Sequence, residues 1–112
     1  MLLKELELTQ QCLMVNPKSY GSWYHRCHCM LAMTDPNWQR EIQLCDVYLS
    51  RDERNFHCWD YRVFASAASN RDPADELAFT LESINVNFGN YSAWHRRSKL
   101  LPLTHPHAEH KV

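Results

Sequence analysis

One eleven-residue pattern occurs three times in the chain at nearly constant spacing. The segments are Asn16-Pro-Lys-Ser-Tyr20-Gly-Ser-Trp23-Tyr-His-Arg26, Asp52-Glu-Arg-Asn-Phe56-His-Cys-Trp59-Asp-Tyr-Arg62 and Asn87-Phe-Gly-Asn-Tyr91-Ser-Ala-Trp94-His-Arg-Arg97. The tryptophans lie 36 and 35 residues apart. Each has an aromatic residue three positions before it and an arginine three positions after it. A period of this size marks a stack of supersecondary units, because one such unit cannot bury its apolar face alone.

The register extends beyond the tryptophans. Glu5, Glu41 and Glu76 align, as do Leu6, Ile42 and Leu77, then Leu8, Leu44 and Phe79, then Leu13, Leu49 and Ile84. Trp38, Ile42, Cys45 and Leu49 follow helical spacing, and so do Leu77, Leu81, Ile84 and Phe88. Asp35-Pro36 and Asp72-Pro73 each read as a capping acid followed by proline at the first helical position. The expected helices are 2–15, 36–50 and 73–86, paired with 20–33, 55–68 and 90–101. The fold class is all-α: an α-α superhelix, or solenoid, of three helical hairpins over residues 1–35, 36–71 and 72–101. On the second helix of each hairpin, the spacing puts Tyr20, Trp23, Cys27 and Met30 on one face, and Phe56, Trp59 and Val63 on the matching face. The shared columns place Trp23, Trp59 and Trp94 in the core and give Arg26, Arg62 and Arg97 structural ion pairs or stacking on the tryptophan rows. Residues 102–112 carry two prolines and three histidines (His105, His107, His110) without an apolar pattern, and read as a disordered polar tail.

Composition narrows the function. Hydrophobic residues make up 45% of the 112, enough for a packed core, and two glycines with no Val/Ile runs argue against a β fold. Twelve basic and 13 acidic residues give a net charge of −1, so nothing drives phosphate-backbone binding and nucleic acid is excluded as the expected partner. The charged start, Met1-Leu-Leu-Lys-Glu, does not read as a signal peptide, and no apolar run approaches membrane-spanning length. Five cysteines, an odd number without framework spacing, read as reduced and point to the cytoplasm. His25, Cys27, His28 and Cys29 cluster on one helix, but no second Cys/His pair stands at structural-zinc spacing, so no metal site is assigned.

The segments Pro17-Lys-Ser-Tyr-Gly-Ser-Trp-Tyr-His-Arg26 and Arg54-Asn-Phe-His-Cys-Trp-Asp-Tyr-Arg62 resemble the repeat of protein prenyltransferase α subunits, whose fullest signature is Pro-Lys-x-Tyr-x-x-Trp-x-x-Arg. Within that family the runs Asp35-Pro-Asn-Trp38, Glu76-Leu-Ala-Phe79 and Asn90-Tyr-Ser-x-Trp94 look like the type II branch, which serves Rab GTPases. The likeness covers residues 5–101. It implies a crescent of hairpins, with more repeats than three in a full subunit, wrapped around a β subunit that holds the catalytic zinc and the isoprenoid pocket. No cofactor is expected on this chain itself. The implied heterodimer transfers geranylgeranyl from its diphosphate to C-terminal cysteines of Rab GTPases presented by an escort protein; the chain is not expected to act alone.

Alkylation of a thiolate by an allylic diphosphate builds negative charge on the leaving group, so cations and hydrogen-bond donors are needed there. Lys18 stands in the turn before the second helix of repeat one, where free helix N–H groups also gather. Stacking brings the turn of repeat two alongside, so Lys18 and Tyr20 with Asn55 and His57 are expected along one edge. The resemblance agrees: the family's diphosphate-facing lysine falls on Lys18 and its tyrosine on Tyr20. The Asn-Tyr-His run of the farnesyltransferase branch falls on Asn55-Phe56-His57, with the phenol absent at Phe56. Lys18 and His57 are the expected catalytic groups; Lys18, Tyr20, Asn55 and His57 are the expected substrate-binding set. Repeat three carries Gly89 and Ser92 in these columns and is assigned no site. Against this stand ordinary readings: a turn lysine is solvated, a turn histidine satisfies backbone, and the aromatic column packs. Two other functions compete. One is a non-enzymatic helical-repeat interaction module. The other is a pentatricopeptide-type RNA binder, suggested by period alone and opposed by neutral charge.

Overall fold

A computed structural model describes residues 1–105. It contains six helices: α1 (Leu2–Val15), α2 (Tyr20–Ala32), α3 (Trp38–Arg51), α4 (Phe56–Ala68), α5 (Pro73–Val86) and α6 (Tyr91–Thr104). Among the described residues there is no strand, and no helix is long and apolar enough to cross a membrane. The described residues divide into two compact units, with the boundary between 65 and 66, so the last turn of α4 belongs with α5 and α6.

In the first unit α1 and α2 form an antiparallel hairpin. Leu6, Cys29 and Met30 are buried together, flanked by Leu2, Met33 and Trp38, which brings the start of α1 to the end of α2. α3 and α4 pair through Cys45 and Cys58, both fully buried, and through Trp38 edge-on to Phe64 at 5.6 Å. The two hairpins then join. Trp23 packs edge-on against Tyr48 at 5.7 Å and tilted against Tyr61 at 5.1 Å. The Arg26 guanidinium, 1% exposed, donates two hydrogen bonds to Glu41 and one each to the Leu6 carbonyl and Thr9 hydroxyl. In the second unit α5 and α6 repeat half of this pattern, with Arg97 Nη1 donating to the Leu77 carbonyl (3.1 Å) and to Thr80 Oγ1 (3.3 Å).

The helix boundaries have local causes. Ser19, Asn37, Asp72 and Asn90 each cap a helix by accepting a backbone N–H from Ser22, Arg40, Ala74 and Ala93. α4 ends in a Schellman motif. Asn70 adopts φ 54°, its N–H reaches the Ala67 carbonyl, and the Arg71 N–H reaches the Ser66 carbonyl.

Several sequence expectations are corrected. Asp35-Pro36 does not start α3; Asn37 captures the Arg40 N–H at 3.1 Å, and the helix begins at Trp38, whose ring seats on the core. α6 runs through Pro102 to Thr104, beyond the expected end at 101. Pro102 lies in the last turn, where little helix remains to be disrupted. Leu81 (47% exposed) and Phe88 (76%) do not line the buried face of α5, which is formed by Glu76, Thr80 and Ile84. Trp94 is half exposed rather than core. Tyr20, Phe56 and Tyr91, each the first residue of its helix, are all exposed, as is Val63. Of the tail histidines, His105 lies at the exposed end of α6, and His107 and His110 fall outside the described residues.

Candidate functional site

The candidate edge is built from the turns that precede α2 and α4. In the first turn, Asn16 Oδ1 accepts the Lys18 N–H (3.1 Å), and the Trp23 indole N–H donates to the Pro17 carbonyl (2.8 Å). The second turn is formed the same way: Asp52 Oδ1 accepts the Arg54 N–H (3.0 Å), and the Trp59 indole donates to the Glu53 carbonyl (2.9 Å). In the third, Asn87 Oδ1 accepts the Gly89 N–H and Trp94 donates to the Phe88 carbonyl, at 3.0 and 2.9 Å. Each tryptophan therefore fixes the carbonyl six residues before it, a role the sequence reading missed. Its signal was available in the constant spacing between the turn and the tryptophan.

Asn55 locks the first two turns together. Its amide nitrogen donates to the Pro17 carbonyl at 2.9 Å, the same oxygen that takes the Trp23 indole, and its Oδ1 accepts the Cys58 N–H at 3.2 Å. Asn55 is 1% exposed. The expectation that Asn55 binds substrate is therefore corrected: its amide faces inward and is committed to the backbone at both ends.

Of the other three expected residues, Lys18 and Tyr20 are exposed and His57 is half-buried. Lys18 Nζ stands 3.5 Å from Asp52 Oδ2, so the cation of the first turn meets the acid of the second. The Tyr20 ring lies 5.8 Å from the His57 ring, and the Phe56 ring lies 4.1 Å from it. Tyr20 also stacks on Tyr24 at 5.7 Å, and Tyr24 meets His28 edge-on at 4.6 Å. Between α2 and α4, Tyr20, Tyr24 and His57 border a small cleft of about 120 Å³, with Trp23, Cys27, Asp60 and Tyr61 as its remaining walls. Burial pushes the Cys27 thiol up to about 11, so it is a neutral group at physiological pH rather than a nucleophile.

Nothing at this edge forms a metal-ligand set. Among the described residues no group of three or more His, Cys, Asp or Glu side chains gathers closely enough to hold an ion. Cys29 is packed in the core with Leu6 and Met30, and His25 leans 3.9 Å from Glu5. The edge can instead offer an ammonium, an imidazole and a phenol to an anionic, partly apolar ligand.

The family model described as the protein prenyltransferase alpha subunit repeat matches residues 2–33, 38–68 and 73–103. The chain is 57% identical over 102 residues to the geranylgeranyl transferase type-2 subunit alpha of Rattus norvegicus, covering 91% of this chain and 18% of the rat protein. It is 56% identical to the Homo sapiens protein of that name, with the same coverage of each. Against the Dictyostelium discoideum protein of that name it is 43% identical over 98 residues, 88% of this chain and 32% of the other. The chain thus spans about a fifth of the length of its mammalian relatives.

Proposed function

Because the chain belongs to the protein prenyltransferase alpha subunit repeat family, we propose that it serves as α-subunit material of a type II protein geranylgeranyltransferase. It holds a β subunit and lends Lys18, Tyr20 and His57 to the diphosphate of geranylgeranyl diphosphate. The acceptors are C-terminal cysteines of Rab GTPases presented by an escort protein. The complex works in the cytoplasm, where the five free cysteines stay reduced. The zinc that activates the acceptor thiolate is supplied by the β subunit.

The observation that carries this reading is the joined pair of turns: Lys18 of the first stands 3.5 Å from Asp52 of the second, the Tyr20 ring lies 5.8 Å from His57, and the Asn55–Pro17 bond ties the two. In the transfer, the thiolate sulfur bonds to C1 of the isoprenoid, the C1–O bond breaks, and the diphosphate leaves with the electron pair. The charge growing on that oxygen favours a nearby ammonium and N–H donors more in the transition state than in the ground state. Lys18 supplies the ammonium, His57 a ring N–H, and Tyr20 a hydroxyl beside it.

The test is reconstitution with a type II β subunit and an assay of geranylgeranyl transfer to Rab. Lys18→Ala is expected to slow single-turnover transfer by about 10²-fold while Rab binding holds, the size seen when one preorganised electrostatic donor is removed. Wild-type turnover from that variant removes Lys18 from the site. Failure to form a heterodimer at micromolar concentration favours the non-enzymatic interaction module.

A further inference from the structure

The acid that faces Lys18 carries a charge that its own turn does not use. The three turns share one column, Asn16, Asp52 and Asn87, and in each the side-chain oxygen accepts the N–H two residues later, at 3.1, 3.0 and 3.0 Å. Two of the three positions are asparagine, so the turn requires only a neutral acceptor oxygen. Repeat two alone has a carboxylate there. Its Oδ1 makes the turn, and its free Oδ2 stands 3.5 Å from Lys18 Nζ. The lysine is equally particular to its repeat, since the matching positions hold Arg54 and Gly89.

Resting on the function proposed above, we infer that Asp52 is a positioning residue for Lys18. The lysine side chain is about two-thirds exposed and sits on a flexible four-carbon stem. An exposed pair of this kind contributes little to stability. What it does is restrict where the ammonium points. The restriction is transmitted because the two turns are locked: the Pro17 carbonyl takes both Trp23 and Asn55, so Asp52 holds a set position relative to the base of Lys18. The same carboxylate repels an incoming diphosphate. Removing its charge is therefore expected to loosen the ammonium without weakening ground-state binding of the anion.

Asp52→Asn isolates the charge, because asparagine makes this turn in the flanking repeats. In the reconstituted heterodimer, with geranylgeranyl diphosphate and escorted Rab, the variant is expected to lose about tenfold in kcat, as for a catalytic group left poorly oriented. The KM for geranylgeranyl diphosphate stays the same or falls, and the melting temperature is unchanged. Lys18→Ala is measured in parallel, and the double variant should be no slower than Lys18→Ala alone. Wild-type kcat for Asp52→Asn beside a slow Lys18→Ala overturns the positioning role and leaves the proposed function standing. A raised KM with a lowered melting temperature assigns Asp52 to the turn only and also overturns it. Wild-type turnover in both single variants, or no heterodimer at all, removes the role of Lys18 and this inference with it.

Discussion

Arg26 and Glu41, 15 residues apart and in different hairpins, form a two-point ion pair closed off from solvent. Nε to Oε1 is 2.5 Å and Nη2 to Oε2 is 2.9 Å, with side-chain exposures of 1% and 0%. The Tyr61 hydroxyl donates to the same carboxylate at 2.5 Å. Burial by itself lowers the pKa of Arg26; the hydrogen bonds and charge of Glu41 override it and hold the guanidinium charged. The fork thus joins α2 to α3, while the remaining arginine donor fastens α1.

Glu41→Ala leaves that guanidinium buried and uncompensated. It is expected to destabilise the chain by about 3–5 kcal/mol, the range for breaking one side of a buried pair. Replacing both residues together, as Arg26→Met with Glu41→Leu, should cost clearly less than the single change, because no charge is left stranded. Urea unfolding of the three variants against the parent checks this, and equal losses contradict it.

The turn clamp predicts a graded effect at Asn55. Asn55→Asp keeps the oxygen that caps Cys58 N–H and loses the donor to Pro17; Asn55→Ala loses both. Losses of about 1 kcal/mol per hydrogen bond apply, rising toward 3 where a buried group is left unpaired. Thermal melting at neutral pH should rank the parent above alanine and alanine above aspartate, because the carboxylate is buried against the Pro17 carbonyl with no cation beside it. Under the function proposed above, both variants should also slow turnover in the transferase assay, since this bond ties the turn that carries Lys18 to the one that precedes His57.

Position in the repeat separates two tryptophans that the sequence treats alike. Trp59 is 6% exposed and Trp94 50% exposed, although both donate an indole N–H to the carbonyl six residues earlier. Trp59→Ala should cost about 3–5 kcal/mol, as for a buried aromatic truncation. Trp94→Ala should cost markedly less, because half its ring already meets water. Chemical denaturation of each variant measures the difference.

Alkaline pH should weaken the fold. Cys27, Tyr48 and Tyr61 all have raised pKa values, in each case chiefly from burial, and Glu41 adds to the effect at Tyr61. These groups are neutral when protonated, and the unfolded chain releases their protons at lower pH than the folded chain does. The stabilisation is therefore whole below about pH 9 and is lost as pH rises, for Cys27 between 9.0 and about 11. A melting temperature that is flat from pH 7 to 9 and falls from 9 to 11 is the expected profile. A profile that rises over that window contradicts it.

Much of the fold was legible because periodicity reports local geometry. The 36- and 35-residue steps, the Asp72-Pro73 start and the Trp38–Ile42–Cys45–Leu49 stripe all describe what neighbouring residues do to one another along a helix. The misreadings share a cause. Leu81, Phe88, Trp94 and the first aromatic of each second helix are apolar residues at helical spacing, and spacing cannot say whether anything packs on that side. Asn37 displaced Asp35 as a cap because two acceptors lay within two residues of each other and packing of Trp38 chose between them.

The sequence by itself determined the all-helical repeat and the three turns, and it singled out Lys18, Tyr20 and His57 by motif. Only the tertiary structure decided what each did across the joint between the first two hairpins. Asn55 turned inward because a single carbonyl, Pro17, was in reach of both its amide and the Trp23 indole. Asp52 came to face Lys18 because stacking two identical turns sets the acid of one beside the cation of the other. Contacts between residues 34 and 38 positions apart depend on how the first two hairpins pack, and no local propensity encodes that distance.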